Sequence, residues 1–196
     1  MTKGKGKLKF RRRREGKTDF KKRLALLKSA KNRAVFRKSN KRIIMELVEF
    51  KPDGDKTLFS VNSSELKKAG FPGKCNIPSA YLAGYWLGKK AIAAGISEAI
   101  FDIGRNTPVR GGRAFAALKG LIDAGMNVPA GEQAFPSKER IEGQHIKKYA
   151  ESLGEKKEKR FSGYAKEKIS IESITSLFNE AKKKIDSFEA KDKVVQ

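Results

Sequence analysis

Apolar and polar positions alternate along residues 43–50. Ile44, Glu46 and Val48 fall on one side of an extended chain, and Met45 and Leu47 on the other. Ala34, Val35 and Phe36 precede this run across the turn residues Ser39 and Asn40. Beyond the turn signal Pro52-Asp53-Gly54, residues 57–62 return to β-type composition. The spacing predicts three antiparallel strands joined by short connections.

Elsewhere the period lengthens to that of helices. Phe20, Leu24 and Leu27 recur at helical spacing behind the cap residues Thr18 and Asp19, which predicts a helix over 19–30. One side of it is expected to dock on the domain, and Lys21, Lys22, Arg23 and Lys28 are left for phosphate. A short helix is expected from Ser63 or Ser64 to Gly70, followed by a loop over 71–78. Pro78 suits the first turn of a helix running to about 94 and stopping at Gly95. Tyr81, Leu82, Tyr85, Trp86, Ile92 and Ala93 make that helix broadly apolar, so it should be largely buried. Gly84 and Gly88 lie one turn apart and imply close approach of its backbone to a sheet.

Residues 99–103 read as a short strand, and 113–124 as a helix with Phe115, Leu118 and Ile122 on its apolar face. Gly125 ends that helix, and 127–129 can add a brief strand. A short helix follows over 136–149, then a solvated connector over 151–168 rich in Glu, Lys and Gly. Ile171, Ile174, Leu177, Phe178, Ala181, Ile185 and Phe188 form a final stripe, an amphipathic helix that needs a surface to pack on. The fold class expected is α/β: a mixed sheet, made of a three-strand antiparallel meander plus a βαβα unit, covered by helices. Three regions follow: a basic arm with a short helix over 1–31, an α/β domain over 32–150, and a connector with a C-terminal helix over 151–196.

Charge changes this picture from a fold into a function. Residues 1–42 hold 19 Lys and Arg against Glu15 and Asp19, so +17 of the formal +23 sits in the first 42 of 196 residues. Charge concentrated in that way is the electrostatic footprint of a nucleic-acid binder. Hydrophobic residues make up 38%, below the ~45–50% of ordinary domains, so the core must be concentrated in part of the chain. Residues 1–17 carry only Leu8 and Phe10 as large apolar groups, and alone they should be disordered until bound.

Composition also excludes. The single cysteine, Cys75, rules out an internal disulfide and fits a reducing compartment, and with one histidine, His145, it leaves too few ligands for a zinc site. No secretory signal or membrane span is legible, so a cytoplasmic location is expected. Neither a cofactor nor a small-molecule substrate is indicated. A catalytic triad has no support with one His and one Cys. Asp102, at the end of an apolar strand, reads as a turn or ion-pair residue before Gly104. Tyr81, Tyr85 and Trp86 read as core rather than as base-stacking groups. The chain is expected not to be an enzyme.

The candidate contacts to RNA are cations first. Lys9, Arg11, Arg12, Arg13, Arg14, Lys17, Lys21, Lys22 and Arg23 can neutralise phosphates and make affinity steeply salt-dependent. Phe10 and Phe20 bracket the run and offer a stacking surface at either end. The charge continues through Arg33, Arg37, Lys38, Lys41 and Arg42, which flank the predicted hairpin. Arg110-Gly111-Gly112-Arg113 opens a helix and is expected to make an anion site from Arg110, Arg113 and the backbone amides. A basic chromatin protein and a small α/β enzyme with a basic tail are the competing readings.

Residues 10–29 (FRRRREGKTDFKKRLALLKS) and 37–43 (RKSNKRI) resemble the large-subunit ribosomal protein L-eighteen family, archaeal type, whose eukaryotic relative is called L-five. So do 80–91 (AYLAGYWLGKKA), 101–104 (FDIG), 111–129 (GGRAFAALKGLIDAGMNVP) and 135–146 (FPSKERIEGQHI), in collinear order. The resemblance covers roughly 7–149. It implies an α/β domain that grips 5S rRNA in the central protuberance of the large subunit, beside large-subunit rRNA and neighbouring ribosomal proteins. Carried over by motif, it implies contacts from Lys9, Arg11–Arg14, Lys17, Lys21, Arg23, Arg37, Lys38, Ser39, Asn40 and Lys41. Ala130 stands where the family usually has His, and the PGKCN loop departs from the more polar family pattern. Beyond 150 the resemblance fades, and the last helix is expected to dock on RNA or a neighbouring protein.

Overall fold

A computed structural model describes residues 8–154, 157–165, 167 and 169–192. Four strands form one sheet in the order β3-β2-β1-β4: β1 Arg33–Lys38, β2 Ile43–Glu49, β3 Lys56–Asn62 and β4 Ile100–Asp102. The first three are antiparallel neighbours as their turn residues dictate, and β4 returns parallel to β1. The α/β class with a mixed sheet is therefore as expected. The brief strand at 127–129 reduces to one parallel bridge between Glu98 and Asn127.

Alternation sorts the sheet into two faces. Ala34, Phe36, Ile43, Met45, Leu47 and Val61 turn inward, almost wholly buried. Against them lies α3 (Ile77–Ala93), buried along most of its length. Asn76 caps it by accepting from the Ser79 backbone N–H at 2.9 Å, with Pro78 in the first turn. The Asn76 amide also donates to the Tyr164 hydroxyl at 3.0 Å. Replacing Asn76 by alanine removes both, and should cost about 1 kcal/mol, or a Tm lower by roughly 2–4 °C in calorimetry. Asn76→Ser, which keeps the cap, should recover most of it.

The glycines of α3 face a helix, not the sheet. A Cβ on Gly84 would stand 2.0 Å from the Ala117 carbonyl oxygen of α4 (Arg113–Asp123), and one on Gly120 would stand 2.2 Å from the Tyr81 oxygen. Two glycines, one from each helix, let the backbones touch. This close crossing also resets which side of α4 is inside. Ala116, Ala117, Leu118, Gly120 and Leu121 are buried, whereas Phe115 and Ile122 are only half-buried.

The C-terminal stripe finds its surface within the chain. In α9 (Ile174–Asp192), Ile174, Phe178, Ala181 and Ile185 are buried against α3 and the 3₁₀ turn Ser63–Ala69. Phe178 meets Phe71 edge-on at 6.3 Å and Tyr81 at 5.5 Å. At ~1.5–3 kcal/mol for each large side chain buried, this face contributes several kcal/mol. The expectation that the helix docks on RNA or another protein is thus corrected: its apolar face is already covered. Phe188 lies outside the residues whose side chains are described. Tyr81 and Tyr85 stack at 6.1 Å under Lys182, and their hydroxyls donate to Asp123 and Asp186, both at 2.8 Å. These rings are core, as their helix implies.

The region expected as one helix over 136–149 breaks in two, α5 (Lys138–Ile141) and α6 (Gln144–Ser152), at Gly143 with φ +87°. The connector is partly folded: α7 (Lys157–Arg160) and α8 (Ser162–Ala165) stand in it, and Lys74 holds Glu167 at 2.9 Å.

Candidate nucleic-acid interface

The arm crosses the sheet face that α3 does not cover. Arg11–Arg14 make a single helical turn, α1, in which the Phe10 carbonyl accepts from the Arg13 and Arg14 N–H groups at 2.9 and 3.0 Å. All four arginines are exposed, and none of the turn is buried. Adjacent like charges and so short a helix have no intrinsic stability. Glu15 is the local counter-charge, held below its ordinary pKa by Lys17 and then Arg11, which it meets at 2.8 Å each. The part of the arm over 1–7, expected to order only on binding, lies outside the described residues.

Gly16 at φ +66° turns the chain, and α2 (Phe20–Leu27) begins under Asp19, whose carboxylate accepts from the Lys21 and Lys22 N–H groups. The helix does not dock through an apolar side. Leu24 is 60% exposed, and nothing on α2 is fully buried. Its tether is ionic. Arg23 donates to Asp55 at 2.9 Å, Asp55 holds Arg33 at 2.5 Å, and Arg33 reaches Asp102 at 2.9 Å. This chain of four joins α2, the β2–β3 turn, β1 and β4.

Arg33 therefore changes role. Its side chain is 6% exposed and engaged by two carboxylates, so the expectation that it meets phosphate is corrected to an internal anchor. Arg23 is engaged likewise, leaving Lys21 and Lys22 as the outward cations of α2. Asp102 is the ion-pair and turn residue anticipated, since it also accepts from the Gly104 N–H at 2.8 Å.

Between arm and sheet lies a cleft of about 680 Å³. It gathers Arg12, Lys17, Lys22, Arg37 and Lys38, which the sequence singled out, with Arg105 and Asn106, which it did not. A second cleft, about 450 Å³, shares Thr18, Asp19, Lys22 and Arg105 with the first. Arg105 is exposed and packs so near Gly16 that a Cβ there would stand 2.9 Å from its Nη1. The available signal was its position just past the carboxyl end of a strand, where loops carry binding groups.

The end of β1 and the β1–β2 turn present Arg37, Lys38, Ser39, Asn40 and Lys41 to solvent, Arg37 staying 59% exposed while it holds Glu46 at 3.0 Å. Ser39 closes it, its Oγ accepting from the Arg42 N–H at 3.0 Å. Arg113 supports this turn from behind. It donates to the Cys75 carbonyl at 3.1 Å and sulfur at 3.0 Å, and the thiol donates to the Ser39 carbonyl at 3.2 Å. The anion site expected at RGGR is consequently not assembled. Arg113 faces the loop, and the Gly111 and Gly112 N–H groups already reach Ala134 and Val109 at 2.8 and 3.0 Å. Arg110 alone remains exposed there.

His145 is half-buried, its pKa lowered by burial and then by Arg140. Among the described residues no three His, Cys, Asp or Glu side chains gather as a metal site, and no helix is long and apolar enough to cross a membrane.

Comparison with known proteins finds relatives over most of the chain. Residues 5–95 match the family described as ribosomal large subunit proteins 60S L5 and 50S L18. The large ribosomal subunit protein uL18 of Methanothermobacter thermautotrophicus is 46% identical over 182 residues, 92% of this chain and 95% of the relative. The protein of the same name from Korarchaeum cryptofilum is 46% identical over 187 residues, 94% of this chain and 96% of the relative.

Proposed function

This chain belongs to the family of large-subunit ribosomal proteins that includes 60S L5 and 50S L18, and on that premise we propose that it binds 5S rRNA and anchors it in the central protuberance. Its role is structural and no reaction is assigned to it. The observation that carries the RNA reading is the cleft between arm and sheet, where cations from α1, α2, β1 and the loop after β4 converge. Phosphates seated there release counterions, while register is set by the folded domain beneath. Specificity then comes from RNA shape and from unpaired bases, because side chains cannot read the deep, narrow major groove of A-form RNA. Lys9, Arg11–Arg14, Lys17, Lys21, Lys22, Arg37, Lys38, Ser39, Asn40 and Lys41 are the proposed contacts, joined by Arg105 and, more peripherally, Arg110.

The test is a salt titration of binding to 5S rRNA with tRNA as competitor, for the intact chain and for one lacking residues 1–17. The intact chain should prefer 5S rRNA. Truncation should weaken binding and flatten the dependence of log affinity on log salt by roughly 0.7–0.9 for each phosphate that is no longer neutralised. Equal competition by tRNA would reduce the affinity to generic electrostatics and remove the 5S assignment.

A further inference from the structure

Phe10 and Phe20 stand at opposite ends of the arginine run in sequence, yet their rings meet at 5.4 Å with a 43° tilt. The turn at Gly16 folds one end back on the other. The pair is not sealed into the core: Phe10 is 74% exposed and Phe20 half-exposed. An exposed phenylalanine forgoes the gain of burial, and this one does so in the most basic part of the chain. Beside the pair lies the 450 Å³ cleft, with Phe20 in its wall and Arg13, Lys21, Lys22 and Arg105 against the single carboxylate of Asp19. That volume falls within the ~300–1,000 Å³ of small-ligand sites. Among the described residues the only apolar group in its lining is Phe20, so it does not suit an apolar protein helix. A flat π-system carrying a negative charge suits it on both counts. In a paired RNA stem the base faces are stacked on one another and closed to a side chain, so the ligand must be an unpaired base.

We propose that this cleft receives one unpaired nucleotide, its base stacked on the Phe10–Phe20 pair and its phosphate held by Arg13, Lys21, Lys22 and Arg105. The proposal rests on the RNA-binding reading above and assigns a ligand class to one subsite of it. The arm then distinguishes a bulged or looped segment from a continuous helix, which charge alone cannot do.

The experiment uses the full chain and two RNA hairpins of equal length, one fully paired and one carrying a single bulged 2-aminopurine. The intact chain should prefer the bulged hairpin and change the fluorescence of its 2-aminopurine on binding. Phe10→Ala should weaken the bulged hairpin roughly tenfold, abolish the fluorescence change, and leave the paired hairpin and the salt slope unaltered. Phe10→Tyr should retain the wild-type behaviour. Equal loss for both hairpins, or an unchanged fluorescence response in Phe10→Ala, would overturn the stacking site while leaving RNA binding intact. Absence of salt-dependent binding to the hairpins and to 5S rRNA alike would instead defeat the RNA-binding reading, and this inference with it; binding to 5S rRNA but to neither hairpin would overturn this inference alone.

Discussion

Replacing Gly84 by alanine is expected to destabilise the chain by roughly 2–3 kcal/mol, although helix propensity alone predicts the opposite. Alanine favours a helix interior over glycine by about 1 kcal/mol. The added methyl, however, would lie 2.0 Å from the Ala117 oxygen and 2.8 Å from its carbonyl carbon. Both belong to the α4 backbone, which cannot rotate aside as a side-chain tip would. The helices must separate, and the reciprocal approach of Gly120 to Tyr81 opens with them. Urea unfolding should show a lower midpoint with a similar m-value. Gly88→Ala should cost less, since its methyl would meet the Ala124 methyl at 2.7 Å and α4 backbone only at 3.2 Å. A Gly84→Ala protein as stable as the parent would show that the helices do not approach this closely.

Asp55→Ala is expected to cost about 3 kcal/mol and to weaken RNA binding at the same time. The carboxylate holds Arg33, which is 6% exposed, and Arg23 of α2. Without it a buried guanidinium keeps only Asp102, and α2 loses its ionic tether. The sign of the RNA effect is the informative part. Removing an acid raises the net charge, so if affinity were set by charge alone it would rise. If the cleft depends on α2 being held against the sheet, affinity falls while the salt slope stays close to the parent's. Denaturant melts and binding at matched salt separate the two outcomes. Higher affinity in Asp55→Ala would mean that the arm acts as a loose polycation and that the cleft has no organising role.

The cleft was legible in the sequence as charge but not as geometry. Arg12, Lys17, Lys22, Arg37 and Lys38 could be named because each belongs to a run of cations, and such side chains are rarely buried. Arg33 could not be distinguished from them, because the carboxylates that claim it are 22 and 69 residues away. Arg113 was misread for the same reason, its partner Cys75 being 38 residues away. Only its position just past a strand end marks Arg105 in the sequence, and nothing local ties it to the arm. It joins the cluster only because β4 pairs parallel to β1 and carries the loop to the arm's side of the sheet.

What the sequence determined by itself is whatever depends on near neighbours in the chain. Alternation over 43–49, the Pro52-Asp53-Gly54 turn, the capped apolar helix ending at Gly95 and the basic arm are all written in adjacent residues, as are the motifs that carry the family resemblance. Tertiary structure decided which surfaces meet. Gly84 and Gly88 could announce a close approach but not its partner, which proved to be the helix carrying Gly120 and not the sheet. The stripe over 171–185 could announce that it needed a cover but not that α3 and the Ser63–Ala69 turn supply it. Periodicity reports how much apolar surface a segment must hide, and only the packed chain determines which groups lie close enough to hide it or to neutralise a charge.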